Sequence, residues 1–256
     1  MAGRVSYSVE GALASVLISH AGKFNAMSRG MWRDLKLAFD ELAQLDTLRC
    51  VVIAGDGGHF CAGGDIAEYP SFRFHAESLA RFHEHEVWGG LDAVLQCPMP
   101  VVAAIEGNCM GAGVEIASCC DLRVAGASAR FGAPIARLGF PMAPREAQLV
   151  ASAVGVATAR EMLLEAAVLD AHEMKQRGFL NRVVPDADVQ GEAAATASRV
   201  AALAPQAARL NKQTLRALVT NTETMHDLVA QAYAYAPHPE HREGIDSFLA
   251  KRKPMF

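Results

Sequence analysis

Apolar and polar positions alternate with a period of two at the start of the chain. Residues 3–19 read as two strands joined at Glu10-Gly11. His20 to Met27 then reads as a loop with one cation, Lys23. From Ser28 the period lengthens. Met31, Leu35, Ala38, Phe39, Leu42 and Leu45 recur on one helical face, and Ser28 stands where an N-cap is needed. Leu48 to Ala54 is a short apolar run, as a buried strand requires, and Gly55-Asp56-Gly57-Gly58 turns the chain. In Phe60-Cys61-Ala62-Gly63-Gly64-Asp65-Ile66, small residues lead into a helix start that Asp65 is placed to cap. Residues 71–95 read as helical. Their charged cluster, His83-Glu84-His85-Glu86, is expected on a solvated face, with His83 and His85 pointing to different sides.

The same logic recurs from Val101 to Val124. Val101 to Ile105 is a β-branched, apolar strand following Pro98 and Pro100. Gly107, Gly111 and Gly113 let the backbone turn tightly, and Val114 to Cys120 forms a short apolar helix. A strand feeding a glycine-rich turn and a helix start presents free N–H groups that hold an anion, or an oxygen that becomes one during a reaction. Glu115 lies in the first turn of that helix. Among apolar neighbours its carboxyl is expected to have a raised pKa, which suits acid–base work. A plain loop with a dipole-complementing glutamate is the simpler alternative. The spacing is not that of a dinucleotide site. Two such strand–turn units can aim one N–H apiece at the same oxygen.

Further on, Asp121 to Ala125 reads as a strand, and Phe131-Gly132-Ala133-Pro134 leads into a short helix broken at Leu138 to Pro141. Helices are expected over Pro144 to Ala153, Thr158 to Ala167, and Ala171 to Arg177 capped by Asp170. Asn181 to Val184 is a short strand ended by Pro185. From Asp186 the chain is alanine-rich and helical, with breaks at Pro205, near Asn221 and at Pro237-Pro239. Arg137, Arg145 and Glu146 are expected on outer helix faces. The order of elements predicts an α/β core over 1–190 and a helical C-terminal region over 191–256.

Composition narrows the function classes. A net charge of −4 gives no support to nucleic-acid binding. No apolar run has the length of a membrane span, and the N-terminus has no signal-peptide layout. Six cysteines without a CxxC pair sit in apolar surroundings and read as reduced thiols of a cytoplasmic protein. The nine histidines lack metal-ligand spacing, so no metal is expected.

The marks Asn25-Ala26, FCAGGDI, Pro98-Met99-Pro100-VVAAIEG, GAGVEIASCCD, FGAPIARLG and EGIDSFLAKRKPMF occur together in this order. Through them the chain resembles the crotonase, or enoyl-CoA hydratase/isomerase, superfamily along nearly its whole length. The resemblance implies a spiral of ββα units with a C-terminal helical region used for trimerisation, as a homotrimer or a dimer of trimers. It implies acyl-CoA thioester substrates, and no cofactor apart from the coenzyme A of the substrate. By motif position, Gly64 and Ala112 would supply the oxyanion N–H groups and Glu115 the acid/base. The substrate and CoA site would involve Lys23, Ala26, Ala62, Asp65, Ile66, Ile135 and Phe248, with Lys251 from a neighbouring subunit.

Hydratases of this superfamily use a second glutamate after the proline of FGxP, and here that position is Ile135. Three readings follow: an enoyl-CoA hydratase-like enzyme running on Glu115, an acyl-CoA isomerase or decarboxylase needing no second base, and a non-catalytic acyl-CoA-binding protein.

Overall fold

A computed structural model describes residues 2–220, 228–229 and 232–256. Strand β1 (Arg4–Glu10) pairs antiparallel with β2 (Leu13–Ser19) around a turn where Gly11 takes φ +59°. On β2 the alternation works as expected: Ala14, Val16 and Ile18 are buried, and their neighbours are not. Helix α1 (Arg29–Leu42) is capped by the Ser28 hydroxyl, which accepts from the Met31 N–H, and it buries the predicted stripe. Leu45 falls beyond the helix end and stays part-exposed.

After β3 (Cys50–Gly55), Asp65 caps a 3₁₀ turn, Ile66–Ser71. The expected helix over 71–95 starts later and comes in three pieces: α2 (Ala76–Arg81), a π-helical turn (Phe82–Val87) and α3 (Trp88–Gln96). Then follow β4 (Val101–Ile105), β5 (Asn108–Met110) and α4 (Ala112–Cys119). Strands β6 (Leu122–Gly126) and β7 (Arg130–Gly132) precede a 3₁₀ turn, Pro134–Leu138, and helices α5 (Pro144–Val154) and α6 (Val156–Leu164). Strand β8 (Val168–Asp170), unforeseen, follows Ala166 at φ +55°; three residues are too few to show a period. The chain continues through α7 (Ala171–Gln176), with a full capping box between Asp170 and Glu173, and β9 (Arg182–Val184). Helices α8 (Val189–Ala201), α9 (Pro205–Thr220) and α10 (Pro239–Leu249) complete the described elements. The break expected near Asn221 lies outside the described residues.

The strands form two sheets. One has six strands in the order β1-β2-β3-β4-β6-β9, parallel from β2 onward; the other has three, β5-β7-β8. Strand β4 is buried along its whole length because both faces are covered. Val101, Ala103 and Ile105 join the main core, while Val102 and Ala104 meet α8 through Val189, Ala193 and Ala197. Consecutive strands of the two sheets, such as β4–β5 and β6–β7, are joined by short turns. The C-terminal ends of β3 and β4 therefore deliver the two glycine-rich stretches to the same region.

One buried side chain holds the loop before α1. Asn25 sits at φ +62°; its Oδ1 accepts from the His20 N–H (2.9 Å), and its amide donates to the carbonyls of Asp56 (2.7 Å) and His59 (2.6 Å). Asparagine tolerates the left-handed conformation better than most residues. Asn25→Ala leaves three backbone groups without a partner and is expected to cost about 2–4 kcal/mol of unfolding free energy. Urea denaturation checks this, and a change under about 0.5 kcal/mol, the usual range for a surface substitution, would show that the loop is held elsewhere.

Candidate active site

The two glycine-rich stretches are bonded to each other. Cys61 and Cys109 form an isolated parallel bridge: the Cys61 N–H donates to the Asn108 carbonyl (2.9 Å), and the Met110 N–H donates to the Cys61 carbonyl (2.8 Å). Close approach requires glycine here. A Cβ on Gly113 would meet the Cys61 carbonyl oxygen at 2.6 Å, and one on Gly64 would meet the Tyr69 hydroxyl at 2.2 Å. Gly63 (φ +113°) and Gly111 (φ +49°) turn the two chains in conformations that side chains rarely allow.

This arrangement leaves two donors unspent. Met27 bridges to Gly64, but the bonds fall on either side of it: the Met27 N–H donates to Gly63 O and the Asp65 N–H to Met27 O. Ala112 is the first residue of α4, beyond Gly111, whose N–H donates to Gly132 O. Among the described residues, the N–H groups of Gly64 and Ala112 meet no protein acceptor. Both residues line one cavity of about 210 Å³, together with Ala62, Ile66, Glu115 and Ile135.

Glu115 is part-exposed into that cavity. Loss of hydration pushes its pKa up to about 8, with the negative charge of Glu146 adding to the rise. At neutral pH it is therefore a carboxylic acid and a proton donor. Tyr69 on the same wall is pushed up to about 12 by burial. The rest of the wall is mostly apolar and aromatic, including Trp32, Phe82, Leu138 and Phe140.

Two expectations fail here. Glu146 is not on an outer face: it is 2 % exposed and heads a buried stripe with Val150 and Val154 on α5. That spacing, at every fourth residue, is the signal that marks it as inward. Nor is the 83–86 cluster a solvated face throughout. His83 lines the cavity, and its Nδ1 lies 3.0 Å from Glu146 Oε1. Glu86 takes a forked contact from the Arg29 guanidinium, with Arg29 Nε 2.9 Å from its Oε2. Only Glu84, paired with Arg145 at 3.1 Å, and His85 face outward. The π-helical turn packs one side of this cluster against the core, burying Phe82 and Val87 beside His83. Arg145 and Arg137 do lie on the exposed side, as expected.

Arg73 also lines the cavity. Its guanidinium stacks 3.7 Å from the Phe140 ring centre and 4.6 Å from that of Tyr69, and desolvation lowers its pKa. No described carboxylate lies within ion-pair distance of it.

Other expected site residues lie elsewhere. Lys23 Nζ contacts Asp65 Oδ2 at 2.6 Å, so these two meet each other. Ala26 is buried in the adjoining turn, where its N–H donates to the Lys23 carbonyl. Phe248 is 81 % exposed on α10, and Lys251 follows it at φ +54°; neither lines the cavity. All six cysteines are free and buried, with the thiols of Cys50, Cys61 and Cys120 pushed up to about 12. Among the described residues no helix is long and apolar enough to cross a membrane, and no group of three His, Cys, Asp or Glu is placed to hold a metal ion.

The family pattern described as Enoyl-CoA hydratase/isomerase matches residues 8–256. A crystal structure of an enoyl-CoA hydratase/carnithine racemase from Magnetospirillum magneticum superposes with a TM-score of 0.93 at 37% identity, covering 98% of this chain and 94% of that one. An enoyl-CoA hydratase from Mycobacterium smegmatis gives 0.90 at 28% identity, over 98% of each chain. The short-chain-enoyl-CoA hydratase of Clostridium acetobutylicum is 27% identical over 247 residues, 95% of this chain and 94% of the relative. The fold is thus the crotonase fold.

The raised pKa of Glu115 has a thermodynamic consequence. Between about 4.5, its ordinary value, and about 8, the folded state holds a proton that the unfolded state has released, so stability falls as pH rises across that window. Glu115→Gln removes this cost. Its melting temperature relative to wild type should climb from pH 4.5 to 8 and then level off, whereas a difference constant with pH would place the Glu115 carboxyl in water.

Proposed function

The chain belongs to the enoyl-CoA hydratase/isomerase family, and on that premise we propose that it is an enoyl-CoA hydratase-like enzyme with Glu115 as acid/base. The observation that carries this reading is the meeting, in one cavity, of two unspent backbone donors and a carboxyl that keeps its proton at neutral pH. When a water oxygen adds to C3 of a 2-enoyl thioester, an electron pair moves through C2 to the thioester oxygen. The N–H groups of Gly64 and Ala112 hold that developing charge without reorganising, an effect worth a few kcal/mol per donor. Glu115 then delivers its proton to C2. On this reading coenzyme A enters as part of the substrate, and no metal or other cofactor takes part.

The runner-up within the family is decarboxylation of a carboxyacyl-CoA. Arg73, a cavity-lining guanidinium with no carboxylate partner among the described residues, favours it by offering a place for a substrate carboxylate. Against it, a carboxylate held by arginine is stabilised before CO₂ departs. The assembled form proposed is a homotrimer or dimer of trimers. Exposed apolar side chains on the C-terminal helices, among them Leu215, Leu218, Ile245 and Phe248, support burial of that surface between subunits. Lys251, and Lys23 beside Asp65, are the cations proposed for the coenzyme A phosphates.

Mass spectrometry of reactions in heavy water tests the assignment. The panel is crotonyl-CoA, a longer 2-enoyl-CoA, a 3-enoyl-CoA, malonyl-CoA and methylmalonyl-CoA. Gain of one water by an enoyl ester is expected. Loss of CO₂, or a moved double bond without added water, would transfer the protein to the decarboxylase or isomerase branch. Glu115→Gln should lower turnover by at least about a hundredfold while CoA-ester binding persists. Ala112→Pro deletes one donor at a helix position that accepts proline, and should cost at least about tenfold.

A further inference from the structure

We propose that His83, held by Glu146, is the second acid–base group of this site and activates the water that adds to C3. The proposal rests on the hydratase reading above and supplies what Ile135 lacks. Hydration needs a proton taken from water as well as one given to C2, and an isoleucine on the cavity wall can do neither.

The geometry assigns the imidazole's two nitrogens. Nε2 faces Arg73 Nη1 at 3.5 Å, and a guanidinium only donates. Nε2 is therefore the bare nitrogen, and the ring proton is on Nδ1, donated to Glu146 Oε1 at 3.0 Å. This is the arrangement in which a buried carboxylate fixes a histidine's tautomer and stabilises the imidazolium that forms during proton transfer. The contact to Arg73 is long, at the limit of a hydrogen bond, and His83 lines the cavity where a water can reach it. The carrier of His83 is a π-helical turn, a distortion found frequently at functional sites. The titratable groups facing the cavity are Glu115, His83, Arg73 and Tyr69, with Glu146 behind His83, and Cys61 and Cys119 behind Glu115.

The step balances. Nε2 takes one proton from water as its oxygen bonds to C3, the C2=C3 pair moves to the thioester oxygen, and the enolate collapses as C2 takes the Glu115 proton. The site is left as imidazolium and carboxylate. One proton passed from His83 to Glu115 through cavity water restores it, so the net reaction adds H₂O and nothing else. His83 is the catalytic residue in this scheme and Glu146 a positioning residue.

The experiment compares two rates near pH 8, where both forms of Glu115 are populated: hydration of crotonyl-CoA, and exchange of α-deuterium from heavy water into butyryl-CoA. Exchange calls on Glu115 and the two N–H donors alone, so it reports the underlying reading separately. In His83→Gln the ratio of hydration to exchange should fall by about a hundredfold. An unchanged ratio overturns the proposal and leaves the hydratase reading standing, whereas wild-type exchange without hydration overturns both. Loss of both in the wild type overturns the hydratase reading and this proposal with it. Glu146→Gln supplies a readout that a purely structural role would not move. Glutamine keeps an acceptor for the Nδ1–H but removes the charge that supports the imidazolium, so the ratio of hydration to exchange should fall at least about tenfold with KM little changed, whereas a purely structural role lowers both rates together. A ratio that stays in place removes Glu146 from the assignment.

Discussion

The pair of backbone bonds between Cys61 and the Asn108–Met110 strand is the constraint on which this site depends. The two stretches come from the ends of neighbouring parallel strands, β3 and β4, and a parallel pair need not stay in contact once its strands end. The extra bridge extends the contact past the sheet edge. It fixes Gly64 and Ala112 relative to each other, so that two N–H groups far apart in sequence border one cavity. Gly113 permits this approach: a side chain there would meet the Cys61 carbonyl and force the stretches apart. Preorganisation of this kind has an energetic purpose: donors that are already aimed do not have to reorient when charge develops.

The cavity built on that crossing is electrostatically balanced within itself. Glu115 is neutral near pH 7, and Tyr69 stays protonated to about 12. The negative charge of Glu146 and the positive charge of Arg73 flank the His83 ring, which touches both. A small apolar pocket tolerates charge only when it is paired or hydrogen-bonded, and this chain of three groups meets that condition with one cation and one anion. The same balance accounts for the state of Glu115. A second ionised carboxylate here would have to be held beside Glu146 with little water, so the pocket keeps one of the two protonated.

Much of this was legible in the chain itself. The Ser28 cap, the Asp170–Glu173 box, the apolar β4 run and the two glycine stretches are local features whose meaning survives folding. So is the position of Glu115, an acid set among apolar residues in the first turn of a short helix. His83 and Glu146 were not legible in that way. Both sit in runs of charge that read as solvated, and which member of such a run turns inward depends on the neighbour it packs against. Glu146 carried a weak signal in its register with Val150 and Val154. His83 carried none, because its inward direction is set by α5 and by the π-helical turn rather than by its own sequence neighbours. Strand β8 was missed because three residues define no period.

The exchange of chemistry between positions 135 and 146 follows from the same electrostatics. A carboxylate at 135 would line the same cavity as Glu115, and ionisation of either would oppose ionisation of the other. Here the wall position is apolar and the carboxylate is set back on α5, where it reaches the cavity through an imidazole. The negative charge still supports a cation formed in the pocket, and it acts through the His83 ring. Glu115 remains an acid at neutral pH through burial first and the Glu146 charge second, and His83 on the same cavity is free to be a base. Two carboxyls thereby take different roles: Glu115 keeps its proton because its surroundings are dry, and Glu146 stands behind the cavity wall against the imidazole.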